Sequence, residues 1–239
     1  MPALVGSIAR RAQGGLLVGL QTGFHYFDPV SGDLTLVAQP EALLPKNRPN
    51  DAKCDRAGRF WCGTMEDFGA NARGTLYRWE RGRALEAIDG PFFVPNSLAF
   101  TADGKHMFFT DTRQGDILRF DYSSATGTRS NARVFLPLDG APGRPDGACV
   151  DSEGCLWSAR YGGAAVVRIT PQGKLDRVID LPTMQPTSCA FGGARLDELY
   201  ITSAAQKLTP EQLGAQPSAG AILMCRPGVS GATDAAFAG

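Results

Sequence analysis

Asn50, Asn96, Asp146 and Thr187 carry short oxygen-bearing side chains, and each follows a proline. After the first three, a glycine stands eight residues on and opens an apolar run, at Gly58, Gly104 and Gly154. The surrounding text repeats as well, in "PNDAKCDRAGRFWCG", "PNSLAFTADGKHMFFT" and "PDGACVDSEGCLWSA", with "PTSCAFGGARLDELYIT" as a weaker fourth copy. A constant offset makes these residues equivalent positions in consecutive copies of one structural unit. Amide, carboxylate and hydroxyl oxygens meeting on the axis of a closed ring would suit a hard cation and a hydroxylated substrate. Asp146 is the first candidate for chemistry, because an axial carboxylate can bind a divalent cation and also take a proton from water. Alone, Pro-Asp-Gly reads as a turn; the register with Asn50 and Asn96 is what makes it a candidate.

Other chemistries lack residues. The two histidines, His25 and His106, both lie in strand-like runs, where a packing or surface role is expected, so a Ser-His-Asp triad or a multi-histidine zinc centre is hard to build. The six cysteines, at 54, 62, 149, 155, 189 and 225, form no C-x-x-C pair and read as structural thiols rather than a zinc cluster or disulfide frame. Twenty-four basic residues balance twenty-four acidic ones, which gives no reason to expect a nucleic-acid or membrane-surface partner. No apolar run approaches the length of a membrane span, and the first residues lack the pattern of a secretory signal, so a cytoplasmic location is expected.

The elements that must position these residues are strands. "RFWCGT", "HMFFTDT", "CLWSAR" and "ELYITS" are short runs rich in aromatic and β-branched residues bounded by turn formers, and 29 glycines with 16 prolines interrupt every helical window. A second phrase alternates with the first, in "TLYRWERG", "DILRFDYSSATG" and "VVRITPQG", with Arg78, Arg119 and Arg168 in its middle slot, read as blade-surface residues. The step between units is 46 residues from Gly58 to Gly104 and 50 from Gly104 to Gly154, the mark of β-propeller blades. Including degenerate copies, five phrase pairs are counted, in a single domain over 1–239. One short helix is the alternative to a polar loop within Thr209–Gly220, where a threonine N-cap precedes a proline.

The phrases "RPNDAKCDRAGRFWCGTM", "GTLYRW", "VPNSLAFTADGKHMFFTDT", "RPDGACVDSEGCLWSARYGGAAVVRI" and "AGAILMCRPGVSGATDAAFAG" are colinear across essentially the whole chain. Together they resemble the senescence marker protein-30/gluconolactonase group, which includes regucalcin. The resemblance implies an all-β, six-bladed propeller of the gluconolactonase type, with about five blades present here, one divalent cation on the axis, and hydrolysis of sugar lactones. Members of the group begin with a further phrase containing Glu-Gly-Pro, whose glutamate binds the metal. No such phrase occurs here. Either the start of the chain is set too far downstream, or the ring is shortened and its metal site weakened, with two strand edges exposed.

By the same resemblance, Asn96 and Asp146 are metal ligands, Asp146 is also the catalytic acid/base, and Arg48 and Asn50 contact substrate oxygens. All-oxygen ligation favours calcium, with magnesium, manganese or zinc as alternatives. The expected reaction is metal-assisted opening of a sugar or sugar-acid lactone. The rival readings are a catalytically impaired cation-binding or interaction propeller lacking the glutamate, and an esterase of the paraoxonase or strictosidine-synthase-like type. Glu66 and Asp67 are secondary candidates for an acidic substrate contact. Asp55, Asp103, Asp111 and Asp151, which recur before strand glycines or after strands, are expected to bond turns. Which lactone is used and which oligomer forms are not written in the sequence.

Overall fold

Strand follows strand for almost the whole chain. A computed structural model describes all 239 residues. The first sheet is β1 (Val5–Arg10), β2 (Leu16–Leu20), β3 (Gly23–Phe27) and β4 (Leu34–Ala38); the second is β5 (Asn47–Cys54), β6 (Phe60–Glu66), β7 (Gly74–Trp79) and β8 (Glu86–Phe92). The third is β9 (Pro95–Phe100), β10 (His106–Asp111), β11 (Ile117–Ser123) and β12 (Thr128–Leu136), and the fourth β13 (Arg144–Val150), β14 (Leu156–Tyr161), β15 (Ala165–Ile169) and β16 (Leu175–Asp180). The fifth has three strands, β17 (Pro186–Gly192), β18 (Glu198–Ser203) and β19 (Ile222–Cys225). All pairings within the sheets are antiparallel. A single short helix, α1 (Pro210–Ala215), interrupts the pattern, opened by a Thr209–Gln212 capping box.

These sheets are five blades of a propeller. The first strands, β1, β5, β9, β13 and β17, are inner edges packed side by side in chain order, whereas β17 and β1 make no comparable contact. Five blades thus leave four interfaces, and each carries a core. Phe24 meets Phe60; Trp61 meets Phe100 and Tyr122; Phe108 lies with Val150 and Leu156; Trp157 lies with Cys189, Leu199 and Ile201. Because an interior blade is covered on both faces, its strands read as unbroken apolar runs rather than alternating ones. Phe60 and Cys62 face the first blade while Trp61 between them faces the third. The outer faces of the first and fifth blades have no such neighbour, and Ile8, Leu36, Ile222 and Met224 are all more than half exposed.

At one end of the ring, buried aspartates brace the second and fourth blades. Asp55 accepts hydrogen bonds from the backbone of Ala57 and Arg59, from Arg59 Nε at 2.6 Å and from the Tyr122 hydroxyl. Asp151 repeats the device with the backbone of Glu153 and Cys155, the Trp157 indole at 2.9 Å and Arg168 Nε at 2.8 Å. Turn bonding by these aspartates is as expected, but the surface reading of Arg168 is corrected. Its guanidinium is buried and paired with Asp151, Glu153 and Asp176. Arg78 lies over the Trp61 ring rather than free in solvent. The C-terminal segment crosses this same end: Gly231 bridges to Asp151, Asp234 pairs with Lys53 at 2.9 Å, and Phe237, fully buried, bridges to Arg11. Five of the six cysteines are buried as small core side chains.

Removing Asp151 strips a buried guanidinium and an indole of their shared acceptor. Asp151→Ala is expected to cost about 3 kcal/mol in urea unfolding, whereas exposed Asp103→Ala, which bonds only Thr101 and Lys105, costs less than about 1 kcal/mol. Equal losses would show that the aspartates serve their turns only.

Candidate active site

The site stands at the other end of the inner strands and is built from β-bulges. In β5 the ladder pairs Pro49 with Thr64 and then Ala52 with Cys62, so Asn50 and Asp51 together oppose one residue. In β13, Asp146 and Gly147 do the same between Pro145 and Ala148. The register also slips at Ser97–Leu98 in β9, at Thr187 in β17 and at Gly6 in β1. A bulge leaves an extra residue unpaired and re-aims its side chain, and an edge strand with a bulge is where proline is tolerated. Sequence reading treats Pro-Asn and Pro-Asp-Gly as turn formers; they lie inside strands. Close packing of the inner strands requires glycine at two contacts: a Cβ on Gly6 would stand 1.9 Å from the Pro49 carbonyl oxygen, and one on Gly63 would stand 2.3 Å from Pro95 Cβ.

Freed side chains then reach across to the next blade. Asn50 Nδ2 donates to Asn96 Oδ1 at 3.0 Å and to the Pro95 carbonyl at 2.9 Å. Asn96 Nδ2 donates to Thr112 Oγ1 at 2.8 Å, and Thr112 in turn donates to the Pro145 carbonyl at 2.7 Å. That chain fixes the Asn96 amide with its oxygen toward Asn50 and one lone pair to spare. Ser97 Oγ donates to the Asp146 carbonyl at 2.6 Å, and the Leu98 backbone N–H to Asp51 Oδ2 at 2.7 Å. Arg48 binds Asp67 at 2.7 Å and Asn50 Oδ1 at 2.9 Å.

Arg48, Asn50 and Asn96 therefore form one hydrogen-bonded row, and Asp146 stands on the following inner strand, bonded through its backbone to β9. Thr187 occupies the equivalent place in β17 but turns to its own blade, 2.8 Å from Thr202 Oγ1. Of the secondary candidates, Asp67 joins the site through Arg48, whereas Glu66 is buried under its own loop, where Oε2 accepts from Asn71. Residues that sequence reasoning missed are Asp51, Ser97, Thr112 and Tyr161. A bulge assumed at each Pro-led slot would have pointed to the first two.

The two carboxylates strain the site electrically. Burial pushes the Asp51 carboxyl up to about 6, opposed by the Leu98 N–H and by Lys53. Burial likewise raises Asp146 well above the usual carboxylate range, and the charge of Asp51 raises it further, with the Gly147 N–H and Arg48 opposing. Tyr161 is raised by burial and by the charge of Asp146, which sets its hydroxyl in the field of that carboxylate. A cation placed among these oxygens would relieve the repulsion. The donor set, an amide oxygen, carboxylates and hydroxyls, suits a hard divalent ion.

A profile of the SMP-30/Gluconolactonase/LRE-like region matches residues 1–205. The chain belongs to that family. It is 35% identical over 241 residues to the 6-deoxy-6-sulfogluconolactonase of Pseudomonas putida, covering all of this chain and 82% of that one. It is 39% identical over 229 residues to the L-arabinolactonase of Azospirillum brasilense, covering 94% of this chain and 74% of the relative. Among solved structures, the calcium-binding protein regucalcin from Agrobacterium tumefaciens superposes with a TM-score of 0.94 at 30% identity, over 99% of this chain and 80% of that one. Family membership and the all-β propeller of the sequence reading hold. The ring counted here has five blades, and no helix is long and apolar enough to cross a membrane.

Ionised Asp51 is unfavourable in the fold, so its carboxyl binds a proton more tightly folded than unfolded. Stability is therefore lost as pH rises from the unfolded value of 3.8 through about 6 and levels off above. In chelator-treated protein, Asp51→Asn is expected to stabilise by on the order of 2 kcal/mol at pH 7.5, with no gain at pH 4 or below. Urea midpoints at both pH values check this, and a variant destabilised equally at both refutes it.

Proposed function

We propose that this chain hydrolyses sugar or sugar-acid lactones with a divalent cation held by Asn96 and Asp146. The observation that carries the reading is the row Arg48–Asn50–Asn96, hydrogen-bonded across the second and third blades, with the carboxylate of Asp146 on the fourth in the field of Arg48. Relatives named as lactonases match along the whole chain and support the reaction class. The Asn96 oxygen and the Asp146 carboxylate are the natural pair to hold the ion, with Asp51 adding negative charge behind them. Calcium fits this donor set best, with magnesium, manganese and zinc as alternatives. When bound, such an ion supplies Lewis-acid polarisation of the carbonyl under attack.

The chain's own groups do the rest. Arg48 has donors directed by Asp67 and Asn50, and with Asn50 it holds substrate oxygens in a fixed orientation. Asp146 accepts a proton from the attacking water, whose oxygen bonds to the lactone carbonyl carbon. The ring C–O bond then breaks, and the proton passes to the departing ring oxygen, leaving a hydroxy acid. Ser97 Oγ anchors the Asp146 backbone at 2.6 Å, which supports a fixed place for its carboxylate in this reading.

A second reading rests on a specific feature. Only two side chains here are assigned to the ion, fewer than a tight site offers, and a cation-binding propeller without turnover would use the same residues. Assays on D-glucono-1,5-lactone and L-arabinono-1,4-lactone with calcium, magnesium, manganese or zinc decide between them. Turnover is expected, with kcat/KM falling about 100-fold or more in Asp146→Asn and KM rising about tenfold in Arg48→Ala. Folded, metal-binding protein with no turnover on either lactone would establish the second reading.

A further inference from the structure

Two loops from opposite sides of the ring meet over the site. One follows β6 and carries Phe68, next to Asp67, the partner of Arg48. Arg113, from the third blade, holds this loop by donating to the Gly69 and Ala70 carbonyls at 2.7 and 3.2 Å. The other joins β18 to β19 and starts beside Gln185, one residue before the Pro186 of the fourth Pro-led slot. In the amide orientation that satisfies its neighbours, Gln185 donates to the Gln206 carbonyl at 2.9 Å and accepts from the Tyr161 hydroxyl at 3.2 Å. Gln206 is thus linked to the Asp146 side of the mouth. Its neighbour Lys207 reaches Phe68, with Nζ 5.4 Å from the ring centroid.

Three observations converge on this contact. Phe68 and Lys207 have φ of 51° and 60°, two of only six non-glycine residues in the left-handed region, so the backbone is strained on both sides of one meeting point. Lys207 is in none of the chain's ion pairs; among the lysines only Lys53 has a carboxylate partner. An aromatic face holds a cation by its quadrupole without occupying the N–H donors. The ammonium is therefore fixed at the mouth, exposed, and free to bond an anion.

We propose that Lys207, steadied by Phe68, is a specificity-determining residue that recognises an anionic substituent remote from the lactone ring, such as a phosphate, sulfonate or carboxylate. This deepens the lactonase reading and rests on it for the placing of the ring below. With the reacting carbonyl end at Asn96 and Asp146, as in that reading, the far end of a sugar acid would project toward the mouth. There the Lys207 ammonium discriminates by charge.

Binding of two open-chain acids tests the proposal independently of turnover. Calorimetry at low ionic strength is expected to show 6-phosphogluconate binding about tenfold tighter than gluconate. Lys207→Gln is expected to bring the two within about twofold by weakening only the phosphorylated acid, and Lys207→Arg to retain the preference. Equal binding by the unaltered protein, no measurable binding of either acid, or a preference that survives Lys207→Gln would overturn it. The lactonase reading fails separately, if D-glucono-1,5-lactone is not opened while the binding preference stands.

Discussion

The register slip in each inner strand is the constraint on which this molecule turns. A regular edge strand would offer alternate side chains to its two neighbouring blades and none along the axis. Adding one residue in β5, β9, β13 and β17, always next to the Pro-led slot, lets consecutive side chains leave the ladder. The same slip frees backbone carbonyls, at Pro95, Pro145 and Asp146, which then accept hydrogen bonds from the preceding blade. Site geometry and blade-to-blade adhesion are thus one set of bonds. A side chain cannot be moved at the axis without loosening the joint that seats it.

The two ends of the ring resolve their charges differently. Where the strands end, Asp55 and Asp151 are buried but fully partnered by backbone, indole and guanidinium donors, and the C-terminal segment seals them. Where the strands begin, Asp51 and Asp146 are left with few donors and with each other. Carboxylates of the first kind hold structure; those of the second kind, half-buried, would be relieved by a ligand that supplies positive charge.

Sequence alone made much of this legible. Period, turn residues and apolar runs specify a repeating β-architecture because each blade must form the same hydrogen-bonded ladder, and the constant offset from Asn50, Asn96 and Asp146 to the strand glycines survives in the coordinates as equivalent places. The bulges were not legible: Pro-Asn and Pro-Asp-Gly have the same local preferences in a turn and in an interrupted edge strand, and only pairing with β6, β10 and β14 distinguishes them. For the same reason Asp51 escaped notice, since in a turn it would face solvent. Arg168 was misread because a period-two pattern places it on a blade face without revealing that Asp151, Glu153 and Asp176 converge there.

Repetition also explains why the site is asymmetric at little structural cost. Between the second, third and fourth blades the inner strands are joined through backbone oxygens of the following blade, at Pro95, Asp146 and Pro145, which accept from Asn50, Ser97 and Thr112, so the slot residue itself can vary. Asparagine at 50 and 96 links two blades through one amide–amide bond; aspartate at 146 could not donate in such a bond and is held through its carbonyl by Ser97 instead. Threonine at 187 satisfies itself within its own blade. The slots around the axis run amide, amide, carboxylate, hydroxyl, and Arg48 stands at the end of the row away from Asp146. In the proposed reading, a molecule bound across the axis meets a cationic fork at one end and a base at the other. That polarity, absent from any single blade, is what makes a symmetric scaffold capable of directed chemistry.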